Sequence, residues 1–498
     1  MNPKLQKYYA HLKEVSTLQS ALSLLQWDQE VNLPIKASKS RAEQVALLSG
    51  IIHKKFIDKE FVKLTHSLSS EESLTDYQKK SVQKTLNSIN KNLKLTVDFV
   101  ELVSTVTSKV FFSWIQSRKD NDASSYLKEL VKLIEIKKQE VEIKYPHIET
   151  YNGFLDEHDE GTNMKFLDQI FDELLPGIDK IIAKLNSKEQ ENEFLFRHYP
   201  SNKQWEFGLR MLNVCGFDFK AGRQDKSEHP FTIALGHNDI RITTRINENY
   251  FPEMFWSSMH ELGHALYEQG LEKKHEGAPE SEACSISIHE SQSRFWENHI
   301  GRSEAFIQMI FPILKEKFPK QLEDISPLRL YKAVNQIKPT LIRTSADELT
   351  YHKHIYIRYQ LEKDLFSGHL KPKELREAWN EMYKQHLGVF VDSDVNGILQ
   401  DVHWAHGSFG YFPTYTLGSL YAARFNNHMR NQIPEAFDPL REQSFSLINS
   451  WLKQNVYISG RLFDSDELCR KSTGTSLSAK DFLNYAHEKY TNHSEKIK

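Results

Sequence analysis

Apolar residues recurring three and four positions apart inside heavily charged segments dominate the first 200 or so residues, as at Leu127, Leu130, Leu133 and Ile134. That period places one apolar stripe along each segment, so this part of the chain must bury helix against helix. Polar breaks at Ser69–Thr75, Arg118–Ser124 and Asn152–Thr162 have lengths suited to helix connections and not to domain linkers. No internal repeat or low-complexity tract interrupts the theme.

The pattern changes between His229 and Arg245, where HPFTIALGHNDIRITTR combines β-branched residues, rough alternation and a Gly-His-Asn-Asp turn cluster, which predicts a β-hairpin. Helical patterning resumes at Pro252 and again at Phe445–Leu452. Between them, Asp392–Ser419 is expected to be a long irregular segment rich in Gly, His and aromatics, and a polar tail is expected from about Thr491. The expected fold is mainly α: one large helical catalytic unit over residues 1–498, with a helical part to about 200, a metal-site part from about 201, and a small β-hairpin or sheet element near the metal site.

A chain of 498 residues can bury a sizeable core, and 39% hydrophobic, 26% charged and 11% aromatic residues fit a folded globular protein. With 64 Lys plus Arg against 67 Asp plus Glu, the formal charge of -3 offers no case for nucleic acid or for a membrane surface as partner. The opening residues lack a signal-peptide core and no stretch approaches about 18 apolar residues, so a cytoplasmic address is expected. Three cysteines, Cys215, Cys284 and Cys469, form neither a disulfide framework nor a CxxC pattern, and Cys284 is expected to pack.

The chemistry concentrates in FPEMFWSSMHELGHALYEQG. Pro252 suits a first helical turn and Gly270 a C-terminal cap, so His260 and His264 share one helix. Their i, i+4 spacing puts both imidazoles on one face, about 5–6 Å apart at Cβ, within reach of a single ion. Glu261 sits beside the first ligand and is the candidate general base for an attacking water. Catalytic zinc usually takes three protein ligands, so a third is needed. The following segment SEACSISIHESQSRFWENHIG offers Glu282, His289, Glu290 and Glu297; Glu290 is preferred, with Glu282 and Glu297 as alternatives. Two imidazoles and a carboxylate suit one Zn²⁺ per subunit, with Co²⁺ or Mn²⁺ as substitutes.

An ordered set of motifs resembles the M32 metallocarboxypeptidases, the carboxypeptidase Taq type, over nearly the whole chain. The set comprises LLQWDQEVNLP with Arg41 and Gln44, His229-Pro230-Phe231, Asp239-Ile240-Arg241-Ile242-Thr243, HELGHALYEQG, His289-Glu290-Ser291-Gln292, Ile342-Arg343-Thr344-Ser345-Ala346-Asp347, and Gly397 to Trp404. The resemblance implies a helical protein with a deep central groove, commonly a homodimer, that removes single residues from peptide C-termini with broad side-chain tolerance. It also implies Glu290 as third ligand. Ser345 departs from the glutamate that many relatives carry in the Arg-x-x-Ala-Asp motif, which puts substrate preference in question.

A peptide substrate with a free C-terminus requires a guanidinium to meet its carboxylate. Arg343 is the first choice, with Arg241 and Arg424 behind it. His403 and Tyr415 are the candidate donors to the tetrahedral oxyanion, and His229, Asp239 and Gln400 join the substrate-binding set through their motifs. The hairpin around Asp239–Thr243 offers a strand edge along which an extended peptide can lie. A metal-dependent endopeptidase and a dipeptidyl carboxypeptidase would use the same metal chemistry. A helical binding protein that has lost catalysis is disfavoured by the intact His260, Glu261, His264 and Glu290.

Overall fold

The computed structural model describes residues 2–185, 192–438, 440–441 and 443–491; the polar tail expected beyond Thr491 lies outside them. The chain separates into two compact units, each assembled from three stretches of sequence. The first comprises Met1–Ile89, Glu189–Val334 and Tyr421–Leu477; the second comprises Asn90–Lys188, Asn335–Leu420 and Ser478–Lys498. Each unit therefore draws on both sides of position 200, and neither coincides with the parts expected at 1–200 and 201–498. Helices account for most of both, and no described helix is long and apolar enough to cross a membrane.

In the first unit, helix α1 (Pro3–Val31) begins on an Asn2 cap whose side chain accepts from the Lys4 amide. Its residues Leu5, Tyr8 and Leu12 enter a core with Phe61, Leu68 and Val82. The predicted hairpin is present as β2 (Thr232–Ala234) antiparallel to β3 (Ile240–Thr244), closed by Gly236 at φ +132°, where a side chain would be strained. A third strand, β1 (Gly222–Lys226), pairs parallel to β3 and gives the order β1-β3-β2. Its sequence GRQDK has no apolar alternation, which hid it from a periodicity reading.

Helix α2 (Phe251–Gly270) starts with Pro252 in its first turn, as predicted. Met254, Phe255, Trp256, Met259, Leu262, Ala265 and Leu266 are all buried, so the helix has almost no solvent face. The sheet is fastened to it by hydroxyl contacts: Thr244 Oγ1 donates to the Met254 carbonyl (3.2 Å), and Gln224 Nε2 donates to Ser258 Oγ (2.9 Å). Helix α3 (Ile286–Arg294), capped by Ser285, runs on into a π-helical stretch, Phe295–Gly301. Cys284 packs as expected, with its thiol against the Phe463 carbonyl.

In the second unit, Thr150–His158 is a helix where a polar break was expected at Asn152–Thr162. Tyr151, Phe154 and Leu155 are its buried residues, and burying them outweighs the polar character of the segment. It packs on α4 (Tyr351–Ser367), where Tyr151 and Phe154 meet Phe366. The segment expected to be irregular from Asp392 becomes helical already at Pro413, inside the boundary predicted at Ser419. The last described helix, α5 (Lys480–Thr491), docks through Lys489 and Tyr490, which both donate to Glu348 Oε2 at 2.7 Å.

Candidate metal centre

Gly263 decides how closely α2 and α3 approach. A Cβ there would stand 2.2 Å from the Gln292 carbonyl oxygen, so only glycine lets the backbones touch at this point. The approach brings Glu290 of α3 opposite His260 and His264 of α2. One ligand atom from each lies within 4.8 Å of the others, the only such group of metal-ligating side chains among the described residues. Glu290 Oε2 is 3.5 Å from His264 Nε2 and 3.8 Å from His260 Nε2.

The groups behind these side chains select the tautomers. His260 Nδ1 lies 2.9 Å from Glu297 Oε2, which only accepts, so Nδ1 carries a proton. His264 Nδ1 lies 2.6 Å from His289 Nδ1, and His289 Nε2 lies 2.8 Å from Glu268 Oε1. Glu268 accepts a hydrogen bond from His289 Nε2, His289 Nδ1 then accepts from His264 Nδ1, and His264 Nε2 is left with a lone pair. Both Nε2 atoms therefore face Glu290, His264 as an acceptor, the state a divalent cation needs, while Glu290, Glu297 and Glu261 outweigh burial and hold the His260 ring above the usual histidine range, so that a cation bound there would displace its second proton. Burial lowers His264 to about 3, aided by the neighbouring His289, and keeps the ring neutral.

Burial by itself would raise Glu290, but Arg294, whose Nε donates to Oε1 at 2.6 Å, together with the two histidines, holds its carboxyl well below the usual carboxylate range. Glu297 behaves alike: burial opposes ionisation, while His260, Arg294 and Arg302 bring it down to about 2. The donor set is thus two imidazoles, that of His264 neutral, and one firmly ionised carboxylate, and it fits a zinc-type ion. Glu261 is buried too, and burial holds its carboxyl above the usual range. Thr232 of β2 donates to Glu261 Oε2 at 2.6 Å, so the sheet orients the residue beside the first ligand.

The remaining predicted residues occupy several places. In the first unit, Arg241 forms a two-pronged pair with Asp239 (2.9 and 2.8 Å) and stacks over Trp27; Arg424 donates to Thr473, and His229 is exposed on the loop before β2. In the second unit, His403 Nε2 and Tyr415 Oη lie 3.0 Å apart, and burial lowers His403 to about 3. Arg343 is buried with its fork on Asp401 Oδ1 (3.0 and 2.7 Å) and its third nitrogen on Tyr351 Oη (3.1 Å). Gln400 accepts from the Arg343 amide and from Arg358 while donating to the Leu341 and Asn396 carbonyls. Its amide is saturated within the protein, which makes it a holder of Arg343. Ser345 is exposed at the end of the short turn that carries Arg343.

Thr232, Glu268, Arg294 and Arg302 are the residues that motif reasoning did not single out. Arg294 carried a readable signal, since it stands one turn after Glu290 and could be expected to pair with it. Thr232 and Glu268 depend on contacts between distant segments, and Arg302 reaches Glu297 across the π-helical stretch.

The family model for carboxypeptidase Taq (M32) metallopeptidase matches residues 7–490. The chain is 36% identical to thermostable carboxypeptidase 1 of Thermus thermophilus, covering 96% of each, and 35% identical to carboxypeptidase 1 of Bacillus subtilis, covering 98% of each. Among solved structures, the M32 carboxypeptidase from Deinococcus radiodurans superposes with a TM-score of 0.96 at 35% identity, over 99% of both chains.

Proposed function

Because this chain belongs to the carboxypeptidase Taq (M32) metallopeptidase family, we propose that it hydrolyses the C-terminal peptide bond of peptides and releases single amino acids with broad specificity. The observation that carries the reading is the pair of relays, Glu297 to His260 and Glu268 through His289 to His264, which leave both Nε2 atoms facing Glu290. His260, His264 and Glu290 hold the metal, Zn²⁺ with Co²⁺ or Mn²⁺ as substitutes. When bound, it supplies Lewis-acid polarisation of the scissile carbonyl and acidifies a water.

Glu261 takes the proton of the attacking water and returns it to the leaving amine. Thr232 occupies Oε2, so Oε1 is the oxygen available for that proton. His403 and Tyr415 supply donors to the oxyanion, and Arg343 meets the substrate carboxylate, exchanging part of its contact with Asp401 for it. Gln400 holds the backbone of Arg343 in register. The open edge of β2, with Asp239, Arg241 and His229 nearby in sequence, pairs main chain to main chain with an extended peptide, which accounts for broad tolerance. In this reading the chain works as a single catalytic domain, in the cytoplasm, as a homodimer.

The test is a mass-spectrometric time course of the zinc-loaded protein on one peptide in free-acid and C-terminally amidated forms. A ladder of single-residue losses from the free acid alone is expected. Internal cuts in both forms, or release of dipeptides, would overturn the assignment.

A further inference from the structure

A cavity of about 200 Å³ lies in the first unit at the end of β2, where Ala234 and Gly236 meet α1 and the segment 276–283. Glu268, Glu276 and Glu282 all line it, and among the described residues no lysine or arginine does. Two of these acids are engaged: Glu268 accepts from His289, and Glu282 pairs with Arg461 at 2.6 Å. Glu276 has no hydrogen bond or ion pair among the described residues.

Ser281, also in the lining, is only 4% exposed, and its buried hydroxyl has no hydrogen-bond partner. With Glu282 and Glu268 already engaged and His237 the only basic side chain in the lining among the described residues, the unpaired Glu276 favours a positively charged group there. The volume falls short of the roughly 300–1,000 Å³ of pockets for whole small molecules and suits one side chain.

Two elements lead from the catalytic groups to this cavity. Thr232 touches Glu261, and Ala234 follows two residues later on the same face of β2, about 7 Å along the strand. Glu268 stands one turn, about 6 Å, beyond His264 on α2. That spacing matches an extended peptide side chain close to the scissile bond. Three acids would repel a terminal carboxylate, so the cavity lies on the side of the bond away from the C-terminus.

We infer that the cavity is a subsite for a lysine or arginine side chain of the substrate, placed upstream of the residue released. The inference rests on the carboxypeptidase reading above. The protein is then a trimmer of peptides in which the removed residue closely follows a basic one.

The experiment uses pentapeptides ending in Phe, with lysine or norleucine at each of the three preceding positions. Calorimetry measures their affinity for the full-length, zinc-loaded Glu261→Gln chain, and mass spectrometry measures their trimming by the wild type. Lysine is expected to bind about tenfold tighter than norleucine at one position, equal to about 1.4 kcal/mol. Adding Glu276→Gln should abolish the gain, and adding Glu276→Lys should transfer the preference to glutamate at that position. Thermal melting checks that both variants fold, which the unpaired state of Glu276 favours. Equal affinities at all three positions, absence of binding, or a gain that survives Glu276→Gln would overturn the subsite. Lysine preference without trimming would sink the carboxypeptidase reading and leave the subsite standing; trimming without preference would do the reverse.

Discussion

At His260 and His264 the decisive atoms are the ring nitrogens turned away from the ligand cluster. Glu297→Gln keeps an acceptor for His260 Nδ1 but removes the charge behind it, so metal affinity should weaken at least tenfold in a chelator competition. Glu261→Gln retains the Thr232 contact and lacks a base: metal content by elemental analysis should be unchanged while kcat falls by about two to four orders of magnitude. A third residue prediction concerns Glu362, which accepts from Trp404 Nε1 (2.6 Å), Tyr151 Oη and the Gly410 amide (both 2.8 Å). Burial nevertheless raises it from 4.5 to about 7. With the folded value above the unfolded one, its contribution to stability is full below about pH 4.5, is lost as pH rises towards 7, and is flat beyond. Urea unfolding at pH 5 and pH 8 should show that loss in the wild type and a smaller one in Glu362→Gln. Residue identity and spacing made His260, Glu261 and His264 legible from the sequence. Glu290 stands out among several acids by its place in a polar run, and the family motifs point to it as well, while Glu297 lies one layer back, against His260 Nδ1.

The contact between α2 and α3 shows what an element adds to a list of ligands. Gly263→Ala must push the Gln292 backbone away, and with it Glu290, only two residues earlier. The expected result is destabilisation of about 1–3 kcal/mol by chemical denaturation, together with reduced metal retention, although no ligand has changed. Apolar patterning and Pro252 predicted α2 well, but Gly270, expected as its cap, is its last helical residue and is followed by Leu271 as cap; the glycine's lack of a side chain makes room for Tyr457 instead. Patterning failed for β1, whose place comes from hydrogen bonds to β3, and for Thr150–His158, where three buried side chains override a polar surface. Elements defined by their partners are the ones that local periodicity misses.

For the whole molecule, the three-segment construction of the first unit makes its C-terminal segment part of the body that carries His260, His264 and Glu290. Tyr457 donates to Gln292 Oε1 at 3.1 Å and stacks near Tyr267, so Tyr421–Leu477 braces both α2 and α3. A chain ending at Leu420 should therefore fail to retain zinc after dialysis, despite carrying His260, His264 and Glu290. The same layout governs events on the ribosome. The first segment of this unit ends at Ile89, and its last partner ends at Leu477. At about 5–20 residues per second, the early helices wait roughly 20–80 s for the stretch that seals them. Throughout that interval the first segment can close on itself, as Leu5, Tyr8 and Leu12 do on Phe61, Leu68 and Val82, but the complete unit forms only when synthesis is nearly finished.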